Sequence, residues 1–230
     1  MRKDKFKTMK NVFDDHAEKI LFKLMSEGHF EGLESPVLIG KEANIFTARK
    51  GEGKVIVKIY RLETSDFRKM YEYIRYDTRY LGLMKKKRLI IFSWCQREFR
   101  NLLKAREAGL NVPTPIAFKD NILVMEMIGK DSPAPQLKDK HPKNPEKFYN
   151  GLLDNLASLY SAGFVHGDVS EFNILNDNGT PVIIDFSQAS PLRSANSKEL
   201  LERDARNISR FFSKLGIDTE KEEVMNRIIG

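Results

Sequence analysis

The chain has 230 residues, 41% of them hydrophobic and 31% charged, which suits one large domain or two small lobes and excludes a disordered or fibrous protein. No apolar run approaches the ~18–20 residues that span a bilayer, and MRKDKFKTMKNVF has no apolar core ahead of a cleavage site, so the reading is a cytoplasmic protein with no membrane partner. Cys95 is the only cysteine, which excludes an internal disulfide framework. The net charge of +7 suits a ribonucleoprotein, or simply the phosphates of ATP.

Phe13, Ala17, Ile20, Leu21 and Leu24 recur at helical spacing over 11–27, with Gly28 as the stop. Two β-type runs, 45–49 and 55–60, flank Gly51-Glu52-Gly53 and read as a hairpin. Residues 62–88 are charged and aromatic without clear periodicity, and are expected to form a long mobile or ligand-ordered insertion. Ser93 and Gln96 form a capping-box pattern that predicts a helix from there to Ala108, closed by Gly109. NVPTP reads as a linker before a second hairpin, 116–118 with 122–128. A proline-rich joint near 130–145 leads to a helix opened by Pro145, with an inward stripe of Phe148, Leu152, Leu156 and Leu159 and a stop at Gly163. A buried strand over 181–185 and a last helix from about Ser197 to Leu215 complete the prediction. The order, sheet first and helices later, describes a bilobal α+β protein.

Phosphoryl transfer needs a cation on the phosphates, a metal held by hard oxygen ligands, and a group that orients the nucleophile. Lys58 in the strand VIVKIY supplies the first, and Glu98 on the following helix is placed to pair with it. In HGDVSEFN, Asp168 and Asn173 stand five apart, the spacing of the kinase loop H-R-D-L-x-x-x-N. Twelve residues on, Asp185 ends an apolar strand, where a carboxylate is costly unless it faces a cation such as magnesium. His166 is expected to shape the loop by hydrogen bonding rather than by acid–base work. Gly40, Lys41 and Glu42, in a loop between the first two strands, could cover phosphates, although the loop is neither G-x-G-x-x-G nor a P-loop. The backbone C=O of Glu126 and N–H of Ile128, beside Met125, could pair with an adenine edge.

Taken together, GKEANIF, VIVKIYR, REFRNL, LVMEMIGKDSPAP, HGDVSEFNIL, VIIDFSQA and LERDARNISRFF closely resemble the RIO family of atypical protein kinases, from about residue 36 to 215. The type-one branch fits best, because its members carry a GKEAN loop, and the 35 residues ahead of the match are too few for the winged helix of type-two members. The resemblance implies a trimmed protein-kinase-like fold with ATP between a β-rich N-lobe and a helical C-lobe, lacking the activation loop and peptide-binding helices. It implies an N-terminal helical extension over 1–35, an N-lobe over 36–129 with a flexible loop about 62–88, and a C-lobe over 130–230. It also implies Asp168 as the catalytic acceptor of the proton, Lys58 as the phosphate-binding lysine, and Asn173 and Asp185 as ligands of magnesium or manganese. Asp185 is further implied as a phosphoryl acceptor, giving an aspartyl-phosphate and ATPase-type turnover, with the small-subunit pre-ribosomal particle, protein and rRNA, as partner. One departure is Leu38-Ile39 where type-one members usually carry Ser-Thr, which removes hydroxyl contacts to the triphosphate.

Two rivals remain at this level. A small-molecule phosphotransferase of the aminoglycoside or choline kinase type also carries HGD-x-x-x-x-N followed by I-D-F, but the 45 residues after Asp185 are few for its substrate lobe. An assembly factor switched by ATP is the other, and the intact Lys58, Asp168, Asn173 and Asp185 argue for turnover.

Overall fold

The computed structural model describes residues 13–230, so the basic N-terminus and the first two residues of the helix expected over 11–27 lie outside the described residues. Helix α1 (Asp15–Ser26) starts where the Asp14 carboxylate accepts the Ala17 N–H at 2.7 Å, satisfying one of the donors every helix start leaves over. Phe13 therefore falls just outside the helix and packs on Phe46, with ring centroids 5.3 Å apart.

Strands β1 (Gly32–Ile39), β2 (Ala43–Lys50), β3 (Gly53–Tyr60), β4 (Pro115–Lys119) and β5 (Ile122–Glu126) form one antiparallel sheet in the order β1-β2-β3-β5-β4. The sequence reading named no strand over 32–39. Pro36 interrupts the pattern, and it is tolerated because β1 is an edge strand whose register shifts on either side of it. The two-residue period of β3 gives its faces separate tasks. Val55, Val57 and Ile59 point to α1 and share a core with Leu21, Leu24, Phe46 and Val124. Ile56, Lys58 and Tyr60 face the other way, toward helix α3 (Lys87–Glu107) and the cleft.

The 62–88 segment carries elements that the sequence reading did not name: Met70 and Ile74, four apart, bury one face of helix α2 (Phe67–Ile74), and Asp77 and Tyr80 are buried at a 3₁₀ turn (Thr78–Tyr80). Helix α3 starts six residues before the expected cap, because Ile90, Ile91, Trp94 and Cys95 form a buried stripe that extends it past Ser93.

Below the sheet, helix α4 (Pro145–Ser161) buries the expected stripe and is capped by Asn144. Short strands β6 (Phe164–Val165) and β9 (Ser190–Pro191) pair with each other. Strands β7 (Ile174–Asp177) and β8 (Thr180–Ile183) form a hairpin closed by Asn178-Gly179, both at positive φ. Helix α5 (Ser197–Lys214) follows, and then helix α6 (Lys221–Ile229), which the sequence reading missed; its Val224 and Ile228 close the core against α4 and α5. A trimmed kinase-like α+β architecture results. Among the described residues no helix is long and apolar enough to cross a membrane.

Candidate active site

A cleft of about 470 Å³ lies between the sheet and the helical half, within the size range of small-molecule sites. Pro36, Val37, Leu38, Ile45 and Ile56 form one wall, and Leu175 and Ile184 the opposite one. Met125, Glu126, Ile128 and the 133–136 segment close the side where the halves are joined. That joint turns at Gly129, whose φ is +112, and a side chain there would meet the Ser132 carbonyl at 2.3 Å, so only glycine fits.

The polar end of the cleft carries Lys58, Glu98, Asn173 and Asp185. The Lys58 ammonium donates to Glu98 Oε1 at 2.8 Å and lies 3.1 Å from Asp185 Oδ1. The Tyr60 hydroxyl donates to the other oxygen of Glu98. Burial works against charge on Lys58, but the carboxylates of Asp185 and Glu98 outweigh it and hold the ammonium well above its ordinary pKa. Burial raises Glu98, with Lys58 opposing. Burial also pushes Asp185 up, yet Lys58 and the Ser187 hydroxyl, which donates at 2.7 Å, leave it below the usual carboxylate range. Asp185 itself sits at φ +62, a left-handed conformation that a non-glycine residue adopts at a cost, and such strain clusters at functional sites.

The catalytic loop is held by side chains at every backbone polar group from 167 to 169. Asp204 accepts the N–H groups of Gly167 at 2.6 Å and Val169 at 2.8 Å. His166 Nδ1 accepts the Asp168 N–H at 3.2 Å. On the carbonyl side, Arg203 donates to Gly167, Asn173 to Asp168 at 2.9 Å, and Asn207 to Val169 at 3.0 Å. Gly167 adopts φ +79 and packs against Leu200, which leaves little room for a side chain. Since Nδ1 of His166 accepts, its proton is on Nε2, donated to the Ile184 carbonyl at 3.1 Å. Burial lowers this histidine to about 4, so it is neutral and structural at physiological pH, as expected from sequence. Asn173 Nδ2 also donates to Asp168 Oδ2 at 3.0 Å. Burial, and then the Asp185 charge, raise Asp168 to about 6, with Arg203, Lys69 and Asn173 opposing.

The fit to magnesium rests on this donor set. Both Asn173 Nδ2 hydrogens are turned to Asp168, so its amide oxygen is the atom that could serve a metal, beside the Asp185 carboxylate at the cleft. Two hard oxygen donors with phosphate completing the shell is how magnesium is ordinarily bound. Among the described residues no three His, Cys, Asp or Glu side chains form a self-sufficient metal cluster.

Lys58, Glu98, Glu126, Ile128, Asn173 and Asp185 are thus brought to one cleft, with Asp168 hydrogen-bonded to Asn173. Gly40, Lys41 and Glu42 are not part of its wall. Their carbonyls are taken from behind by Arg61, Thr64 and Ser65, which turn the loop onto the 61–65 segment; Leu38, on the strand before it, lines the cleft instead. The Glu126 side chain is occupied with the Thr114 N–H and hydroxyl, so only its backbone is offered to the cleft. Sequence reasoning missed Arg203, Asp204 and Asn207, the three side chains of α5 that grip the loop. Arg203 and Asp204 one turn before Asn207 on one helix, after a leucine-rich start, were the available signal.

Comparison with known proteins adds three findings. The family model described as RIO domain matches residues 44–225. The RIO-type serine/threonine-protein kinase Rio1 of Haloferax volcanii is 38% identical over 229 residues, covering 99% of this chain and 79% of that protein, and the Rio1 of Methanocaldococcus jannaschii is 38% identical, covering 97% and 78%. Among solved structures, the ADP/Mg²⁺-phosphoaspartate complex of the Rio2 kinase from Chaetomium thermophilum superposes with a TM-score of 0.68 at 25% identity, covering 90% of this chain and 64% of that one.

Proposed function

Because the chain belongs to the RIO family and is a serine/threonine protein kinase by that membership, we propose that it turns over Mg-ATP through an aspartyl-phosphate on Asp185 and works in maturation of the small ribosomal subunit in the cytoplasm. The observation that carries the chemistry is Asp185 itself. It is an ionised carboxylate at the polar end of the cleft, its side chain 33% exposed, held beside Lys58 in a strained backbone conformation. The similar Rio2 structure is described as a phosphoaspartate complex. Support for the ribosomal setting is coarser: the family and the net charge of +7. The small-molecule phosphotransferase reading gives way to the family match.

In this reading Lys58, fixed by Glu98 and Tyr60, holds the α- and β-phosphates, and the cleft between Leu38, Ile45 and Ile184 encloses the adenine. Magnesium, bound by Asn173 and Asp185, would neutralise developing charge on the phosphates; manganese is a substitute. Asp185 Oδ1 is engaged by Lys58 and Ser187, so Oδ2 is the attacking oxygen. It forms a bond to the γ-phosphorus as the bond to the β–γ bridging oxygen breaks, and ADP leaves. The oxygen of water or of an acceptor hydroxyl, oriented by Asp168, which takes its proton, then bonds to the phosphorus as the bond from phosphorus to Asp185 Oδ2 breaks, and Asp185 returns to a carboxylate.

The test is incubation of the pure chain with γ-labelled ATP and magnesium. Wild type is expected to carry label that hydroxylamine releases, and Asp185→Asn none. Asp168→Ala is expected to bind ATP and to transfer nothing to an acceptor. Acid-stable, hydroxylamine-resistant label on wild type would overturn the aspartyl-phosphate.

A further inference from the structure

Of the six backbone groups held from 167 to 169, one is held by a side chain that also reaches the 62–88 insertion. Arg203 Nη2 donates to the Gly167 carbonyl and, at 2.8 Å, to Gln188 Oε1, while Nη1 donates to the Tyr73 hydroxyl at 2.9 Å. Its guanidinium carbon lies 5.7 Å from the centre of the Tyr73 ring. One planar fork therefore joins three elements: α2 of the insertion, the catalytic loop, and the segment after Asp185. The carbonyl it grips belongs to the peptide whose N–H is that of Asp168, and His166 Nδ1 holds the other end of the same peptide plane.

We propose that Arg203 is a positioning residue that makes the catalytic loop sense whether α2 is docked, with Tyr73 as the contact through which it does so. The inference rests on Asp168 being the acceptor-orienting group. Asp204 and Asn207 hold the loop from α5 whatever the insertion does. Arg203 differs because its guanidinium is a rigid planar fork, so a partner on Nη1 also fixes where Nη2 points. With Tyr73 in place, Nη1 and Nη2 are pinned in one plane and the Gly167–Asp168 peptide is fixed. Without it, the half-buried side chain regains rotamer freedom and holds the Gly167 carbonyl for a smaller share of the time. Lys69, one turn before Tyr73 on α2, brings a second positive charge toward Asp168 from the same helix, so undocking α2 would change both the orientation and the electrostatics of the site. Docking of the insertion would then set the state of the loop.

A double-mutant cycle on the full chain tests this, reading ATP turnover and autophosphorylation. Tyr73→Phe removes one hydroxyl and is expected to lower kcat on the order of 5–10-fold, with KM for ATP and thermal midpoint unchanged. Arg203→Met is expected to lower kcat further, and the double variant to match Arg203→Met alone. Arg203→Lys, which keeps the charge but not the fork, should fall between wild type and Arg203→Met even if Arg203→Met folds poorly. Hydrogen exchange of the peptide covering 164–172 should speed up in Tyr73→Phe. Additive losses, a change confined to KM, or full kcat in Tyr73→Phe would overturn the coupling. Asp168→Asn in the same assay separates the two levels: if it keeps turnover, the role of Asp168 fails, whereas if it is inactive and Tyr73→Phe is normal, only the coupling fails.

Discussion

Two buried ion pairs stand one residue apart on α3 and have opposite fates. Glu98 is 1% exposed and pairs with Lys58 at the wall of the cleft; Arg97 is fully buried and pairs with Asp77 at 3.1 Å on the insertion side. Every donor edge of Arg97 is spoken for: Nε by Asp77, Nη1 by the Ser187 carbonyl at 3.0 Å, Nη2 by the Ser190 hydroxyl at 2.7 Å. Asn101, one turn further, donates to the Phe186 and Ala189 carbonyls at 2.8 Å each. This pair ties the insertion, α3 and the loop after Asp185 into one sealed node. The Lys58 pair is different in kind, since it opens through Asp185 to the cleft and can be neutralised or rearranged. A saturated pair fixes geometry, whereas an open one can act on a substrate.

The contrast is broken most sharply by removing one charge from each. Asp77→Ala leaves Arg97 buried without its carboxylate, where burial already lowers its pKa to about 10. Loss of one partner of a buried pair costs about 3–5 kcal/mol, so urea unfolding should show a drop of that size with at most indirect loss of activity per folded molecule. Arg79, which also bonds Asp77, cannot compensate because it loses the same partner. Lys58→Met should behave the other way. Removing a charge that stabilises the transition state costs on the order of 10²–10³ in kcat, about 3–4 kcal/mol. Its effect on stability should be smaller than that of Asp77→Ala, because Asp185, the second carboxylate left without Lys58, faces the cleft. Equal destabilisation by the two variants would remove the distinction.

The pairing of Lys58 with Glu98 was legible in the sequence and that of Arg97 with Asp77 was not, for physical reasons. Lys58 and Glu98 lie forty residues apart, yet Lys58 stands in a β-branched strand whose period dictates which face it takes. Asp168, Asn173 and Asp185 stood in one contiguous segment with fixed spacing. Arg97 and Asp77 lie twenty residues apart across an insertion whose composition looks solvated, and buried charges run against the hydropathy that sequence reading depends on. The insertion hid its helix because eight residues with two buried positions carry little periodicity, and β1 was hidden by Pro36. The β7–β8 hairpin was missed despite a strong Asn178-Gly179 turn signal, because the apolar run before Asp185 reads equally well as a lone buried strand. The set of the loop could not be read from Gly40-Lys41-Glu42, since the groups that hold its carbonyls lie over twenty residues later.

His166 is a titratable group sealed like Arg97 but with no counter-charge bonded to it. Its Nδ1 accepts the Asp168 N–H and its Nε2–H is donated to Ile184, so both nitrogens are satisfied only in the neutral form. Protonation would set two donors facing each other at Nδ1. The unfolded imidazole takes its proton near pH 6.5, while the folded one resists until about 4 because burial disfavours the charge. Above pH 6.5 both states are neutral and the residue contributes no pH dependence. Between 6.5 and 4 the unfolded chain binds a proton that the folded chain refuses, so stability falls as pH falls, by about 1.4 kcal/mol per unit and about 3 kcal/mol across the window. Carboxylates titrate across this range as well, Asp168 at about 6 among them, and the difference between wild type and His166→Asn isolates the histidine. Urea unfolding from pH 7 to 4 should show the wild type losing stability more steeply than the variant, with the excess beginning near 6.5. Parallel curves would mean that the loop admits a charged His166, and that sealing in this fold depends on Arg97 and Asp77 alone.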